Sequence, residues 1–192
     1  MASMKQEIEQ ERPLSSPEEE VLLNLARSCD SLNRAFQRST RRFGITATQY
    51  NVLRILRGAQ PDGLNCAAIG RRMIAAEPDI TRLLNRLKTM RLVRQHRDRQ
   101  DRRIVWTQIS ETGLELLTTM EPVMTRVPAE LLGHMNAEEL GVFNRLLQLA
   151  RARSTTLEHQ DAALGVLPVR DENENPSEAA DPAGGSPAAI AP

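Results

Sequence analysis

Apolar residues recur every three to four positions through most of the chain, the period of a helix with one buried face. The first such stripe is Leu22, Leu25, Ala26, Cys29, Leu32, Ala35 and Phe36. Ser16 precedes it as an N-cap, followed by Pro17 at the first helical position and the acids Glu18, Glu19 and Glu20 facing the positive helix end. The pattern predicts a helix from Pro17 to about Arg42, roughly 39 Å long at 1.5 Å per residue. Thr46-Ala-Thr-Gln49 has the form of a capping box and opens a second helix carrying Tyr50, Leu53 and Leu56. The Gly58–Gly63 loop ends it. Asn65 caps a short third helix with Ile69 and Met73. Pro78 begins a fourth, in which Ile80, Leu83, Leu84 and Leu87 fall on one side and Thr81, Arg82, Asn85, Arg86 and Lys88 on the other.

The period then changes. Val105, Thr107 and Ile109 alternate with Trp106 and Gln108, as in a strand, and the charged run Arg94–Arg103 before them suits a hairpin tip rather than a core. Ser110 caps a fifth helix with Leu114, Leu116, Leu117 and Met120, limited or kinked by Pro122 and Pro128. Asn136-Ala-Glu-Glu139 opens the last, with Leu140, Phe143, Leu146, Leu147 and Ala150. The fold class expected is mainly α with one small β-hairpin. Residues 1–15 are polar and read as a flexible N-terminus, and 16–156 as the folded domain. Residues 157–192 lack aromatics, carry five prolines and are acidic. That composition buries too little apolar surface to offset chain entropy, so a disordered tail is expected.

Charge sharpens this picture. Across 192 residues 25 Lys and Arg balance 25 Asp and Glu, yet residues 41–110 hold 15 basic against 5 acidic side chains, a net of +10, and the rest of the chain a net of −10. Segregation of this kind points to nucleic acid or another polyanion as partner. Two cysteines are too few for a disulfide scaffold. No apolar run has the length of a membrane span and the polar N-terminus has no signal-peptide core, so no membrane partner and a cytoplasmic location are expected. His96, His134 and His159 are far apart and lack ligand-spaced neighbours, so neither a metal nor another cofactor is expected. No nucleophile–base pair, phosphate loop or paired carboxylates appear, and an enzyme is not expected.

Three short helices followed by a basic hairpin describe a winged helix-turn-helix. The fourth helix becomes the recognition helix, with Thr81, Arg82, Asn85 and Arg86 suited to base edges in a major groove. The hairpin becomes the wing, with Arg97, Arg99, Arg102 and Arg103 suited to phosphates or a minor groove. Asp98 and Asp101 are expected to shape its tip through turn hydrogen bonds and arginine pairing. The partner expected is double-stranded DNA. An adaptor module or a non-specific architectural DNA binder would use the same elements.

The run Arg97-Asp-Arg-Gln-Asp-Arg-Arg-Ile-Val-Trp-Thr-Gln-Ile-Ser-Glu-Thr-Gly113 resembles the wing signature of MarR-type regulators, an Asp-Arg-Arg turn, an alternating strand and a Leu-Thr-x-x-Gly helix start. Asp79–Leu87, Leu92-Val93 and Gly44–Tyr50 resemble the family's recognition helix, its exit into the wing and the opening of its second helix. Ile109 and Ser110 stand where the family has Leu and Thr, and Met90-Arg91 where a glycine often precedes Leu-Val. The resemblance implies a transcription regulator, a repressor acting as a homodimer on a pseudo-palindromic operator. Residues 44–110 would form its DNA-binding core, and 16–43 with 111–156 its N- and C-terminal dimerisation helices. It further implies a small, often aromatic effector, for which the family location points to Phe36, Tyr50 and Leu117. Some relatives sense oxidants through a cysteine, but Cys29 lies on the apolar stripe and reads as a buried structural residue, and Cys66 as partly exposed. Trp106 and Tyr50 read as packing residues.

Overall fold

A computed structural model describes residues 3–163, and the chain divides into two compact units, Met1–Met135 and Asn136–Pro192. The first unit begins with a single turn, α1 (Met4–Glu7), where the sequence predicts only a flexible end. A capping box between Ser3 and Gln6 holds it, Met4 is buried, and Glu7 pairs with Arg27 at 3.1 Å. The long α2 (Pro17–Arg41) is capped by the Ser16 hydroxyl. Then come α3 (Ala47–Arg57), β1 (Leu64–Asn65), α4 (Cys66–Gly70), α5 (Ile80–Thr89), β2 (Val93–Arg97), β3 (Val105–Ile109), α6 (Glu111–Met124) and α7 (Val127–Leu132).

The caps read from the sequence are formed. Thr46 and Gln49 make the reciprocal box of α3, and Asn65 and Ser110 cap α4 and α6. Helix α5 differs: Asp79 is its cap, accepting from the Arg82 amide at 2.7 Å, and Pro78 stands outside it. A carboxylate that meets an orphan amide at the helix start outweighs the preset φ of a proline. Pro122 lies within α6, which ends two residues later, and Pro128 sits in the first turn of α7, where its missing N–H costs nothing.

The hairpin of β2 and β3 gains a third strand that the period did not reveal. The antiparallel order is β1-β3-β2, with Leu64 opposite Thr107 and Val93 opposite Ile109. Gly63 makes the approach possible: its φ is +77°, and a Cβ there would lie 2.4 Å from the Thr107 carbonyl oxygen. The Gln108 side chain fastens the same loop, its Nε2 donating to the Pro61 carbonyl at 2.7 Å. The core gathers Val52, Leu53 and Leu56 of α3, Ile69 of α4, Leu83, Leu84 and Leu87 of α5, the strand residues Val93 and Ile109, and Leu117, Met120 and Met124 of α6.

Helix α2 joins this core near its C-terminal end, through fully buried Thr40 and partly buried Phe36. Farther up, Val21 and Leu22 are 66% exposed and Cys29 is exposed, so the expectation of a buried cysteine is corrected. The stripe is real, but this unit places no packed neighbour over Cys29. Cys66, at the start of α4, is half-buried.

In the second unit, Asn136 and Glu139 form the expected reciprocal cap at 2.9 and 2.8 Å, opening α8 (Ala137–Ala163). The helix runs seven residues beyond the boundary expected at 156, because no glycine or proline falls between Thr156 and Gly165. From residue 164 the acidic stretch expected to be disordered lies outside the described residues. Val142, Leu146 and Leu149 are exposed on α8. Among the described residues no helix is long and apolar enough to cross a membrane.

Candidate nucleic-acid interface

Helix α5 divides its side chains cleanly. Leu83, Leu84 and Leu87 are buried, while Thr81, Arg82, Asn85, Arg86 and Lys88 are all exposed. The apolar side fixes the helix to the core, and the polar side is left to hydrogen-bond with whatever approaches. Neither Arg82 nor Arg86 has a side-chain hydrogen bond or ion pair within 4.0 Å; the ion pairs among the described residues are Arg27–Glu7 and Arg34–Asp30.

Grooves flank α5 on both sides. One, of about 440 Å³, runs between α5 and the wing and brings Thr81 and Asn85 together with Asn65, Gln95 and Arg103. The other, of about 520 Å³, lies toward α2 and α3, where Arg82 and Arg86 meet Arg41, Gln37 and Thr48. Sequence reasoning missed Arg41. The signal was present in the basic end of the first helix, but its partners are more than 40 positions away.

The wing tip is built by its acids. Asp98 Oδ1 accepts from the amides of Gln100 and Asp101 at 2.8 and 3.0 Å, and Asp98 Oδ2 from the indole Nε1 of Trp106 at 2.9 Å. Asp101 accepts from the Arg103 amide at 2.9 Å. These bonds, the Asp101 amide first and then the Trp106 indole, hold the Asp98 carboxyl below its ordinary range. The turn-type bonds expected are therefore present. The arginine pairing is not, because both carboxylates are turned inward onto turn amides and the indole and leave the arginines to the solvent. Arg97 is engaged locally, donating to the Arg102 carbonyl at 2.9 Å. Arg99, Arg102 and Arg103 are exposed, with no side-chain hydrogen bond or ion pair. Trp106 packs into the wing, as its half-buried state and its bond to Asp98 require.

The residues singled out for an effector separate. Tyr50 and Leu117 line one cavity of about 180 Å³, together with Arg54, Arg57, Glu121 and Met124. Phe36 stands behind it, edge-on to Tyr50 with ring centroids 5.8 Å apart. The Arg54 guanidinium lies 5.9 Å from the Tyr50 ring centroid. Arg54 and Arg57 follow Tyr50 by four and seven positions, so helical spacing alone places all three on one face.

Comparison with known proteins agrees with this geometry. The family model described as MarR family matches residues 43–104, from the end of α2 to the wing. The transcriptional regulator HosA of Escherichia coli is 27% identical over 122 residues, 61% of this chain and 89% of that protein. The crystal structure of a MarR transcription factor from Planctomyces limnophilus is 36% identical, with a TM-score of 0.56 over 72% of this chain and 99% of its own. The fold also matches BpsR of Bordetella bronchiseptica, whose DNA binding is regulated by 6-hydroxynicotinic acid, at 24% identity and a TM-score of 0.60, over 68% of this chain and 98% of that one. Matched over almost the whole of a 36% identical relative, and with α5, β2 and the hairpin tip inside the family segment, the chain belongs to the MarR family of DNA-binding transcription regulators.

Proposed function

We propose that the protein is a dimeric repressor that reads a pseudo-palindromic operator with α5 and grips its backbone with the wing. The observation that carries this reading is the exposed, unpaired polar face of α5, set between a groove shared with the wing and a groove to which α2 adds Arg41. Thr81, Arg82, Asn85 and Arg86 would meet base edges: arginine presents a fork to guanine and asparagine to adenine. Arg99, Arg102 and Arg103 would meet phosphates or a minor groove, each neutralised phosphate adding to the salt dependence. Arg97 would contribute more through the turn it holds. Dimerisation is supported by the exposed apolar residues of α2 and those of α8, which need cover. Two recognition helices would then fall one DNA turn apart, about 34 Å.

A small effector would enter the cavity lined by Tyr50 and Leu117 and shift the dimer toward a spacing with lower operator affinity. Fluorescence anisotropy tests the DNA reading. A duplex selected by the protein from a randomised pool should bind far more tightly than a random duplex. Arg86→Ala should weaken the selected duplex about tenfold or more and leave the random one nearly unchanged. Equal losses on both would make Arg86 a phosphate contact, and failure to select any sequence would remove the operator reading.

A further inference from the structure

The recognition helix leaves the core through a tightly bonded turn. Helix α5 ends at Thr89, and Arg91 follows in the left-handed region at φ +60°. The Arg91 amide donates to the Lys88 carbonyl at 2.9 Å and the Leu92 amide to the Leu87 carbonyl at 3.0 Å. A side chain with a Cβ stays in that conformation only where its surroundings fix it.

The fixing comes from Ser110, which is 5% exposed and 19 positions away. Its hydroxyl donates to the Arg91 carbonyl at 2.7 Å and accepts from the Gly113 amide at 3.0 Å. Its amide donates to the Leu92 carbonyl at 3.0 Å. One residue thus caps α6 and binds two successive carbonyls at the exit of α5. Gly113 brings α6 close enough: a Cβ on it would lie 2.3 Å from the Leu92 oxygen. Helix α6 is itself anchored by Leu117, Met120 and Met124.

The apolar face of α5 is held by Leu83, Leu84 and Leu87. Apolar packing is non-directional and fixes depth better than rotation or sliding along the axis. The directional restraint on α5 is at its ends; at the C-terminal end it includes the contact of Gln49 Nε2 with Met90 Sδ at 3.7 Å and, one residue on, the bonds of Ser110. Base readout requires the helix to be set within about half an ångström, whereas phosphate contacts on long arginines tolerate more.

We infer that Ser110 is a positioning residue for DNA reading: its hydroxyl, donating to the Arg91 carbonyl while capping α6, sets the axial placement of α5 and the start of the wing. This rests on the DNA reading proposed above. The variants that isolate it are Ser110→Asp and Ser110→Gly, which both keep an accepted N-cap residue but have no hydroxyl donor, and Ser110→Thr, which keeps both roles.

Full-length protein would be titrated by anisotropy against a duplex selected from a randomised pool by the unmodified protein, and against a random duplex, at two salt concentrations. Thermal melting and titration of the DNA-binding fraction would run alongside. Ser110→Thr should keep the ratio of selected to random affinity. Ser110→Asp and Ser110→Gly should lose about tenfold in that ratio, with random-duplex affinity and salt slope unchanged. A purely structural role would lower the active fraction and reduce both affinities together. An unchanged ratio in Ser110→Asp and Ser110→Gly overturns the inference, as does an equal loss in Ser110→Thr or loss of the melting transition in both donor-free variants. If the unmodified protein selects no sequence, the operator reading itself has failed; if it does and the variants match it, only the role of Ser110 is removed.

Discussion

The turn after α5 offers a substitution whose sign runs against intuition. Arg91 holds φ at +60°, a conformation that costs an L-residue roughly 1–2 kcal/mol because its Cβ crowds the following carbonyl. Glycine escapes that penalty but gives up about 0.5–1 kcal/mol of additional chain entropy on folding. The exposed guanidinium has no side-chain hydrogen bond or ion pair, so little native enthalpy goes with it. The carbonyl that accepts from Ser110 and the amide that donates to Lys88 are backbone groups and survive the change. Arg91→Gly should therefore stabilise the fold by about 0.5–1 kcal/mol, or roughly 2–4 °C in Tm for a unit of this size. Urea denaturation followed by circular dichroism, at fixed protein concentration, should show a higher midpoint at constant slope. Arg91→Ala is the control: it removes the same charge but keeps the Cβ and should gain nothing. A rise in Arg91→Ala equal to that in Arg91→Gly would assign the effect to charge, and a fall in Arg91→Gly would refute the strain account.

Other expectations follow from burial and from the wing. Leu53, with no exposed surface at the centre of α3, should cost about 2–5 kcal/mol when replaced by alanine, read as a lower urea midpoint; a loss under 1 kcal/mol would mean the site collapses freely. The Asp98 carboxyl, held below its ordinary 3.8 by the Asp101 amide, the Trp106 indole and the Gln100 amide, favours the ordered wing when ionised. Its contribution is complete above the ordinary aspartate range and is lost as pH falls through the lower native value. Trp106 is the single tryptophan and donates to that carboxylate, so its fluorescence should report a local acid transition with a midpoint below 3.8, absent in Asp98→Ala. A midpoint at or above 3.8, or persistence of the transition in Asp98→Ala, would break the link between this carboxyl and wing order.

The features legible in the sequence are the local ones. The caps at Ser16, Thr46, Asn65, Ser110 and Asn136 are decided within four residues, and each forms where the pattern places it. The outward face of α5 follows from helical period alone. What escaped depends on distant pairing. Two residues of β1 exist as a strand only because Thr107 and Trp106 lie opposite and Gly63 permits the approach. The bond from Trp106 to Asp98 crosses the hairpin, and the sequence suggested arginine partners nearer along the chain. Cys29 shows the limit of periodicity: it identifies a stripe but not what covers it. The cavity was half legible, since Tyr50 and Leu117 meet there and Arg54 and Arg57 follow Tyr50 at helical spacing, while Glu121 joins them only when α3 and α6 are set side by side.

The division of α5 into two non-overlapping sets of side chains has an evolutionary consequence. Leu83, Leu84 and Leu87 keep the helix in place, and none of them is among the exposed residues available to bases. Thr81, Arg82, Asn85 and Arg86 are held by no packing that a change of side chain would disturb. If those four read the operator as proposed, descendants of this protein can exchange them while the scaffold is unaffected, and so acquire new operators through single substitutions without passing through an unfolded intermediate sequence.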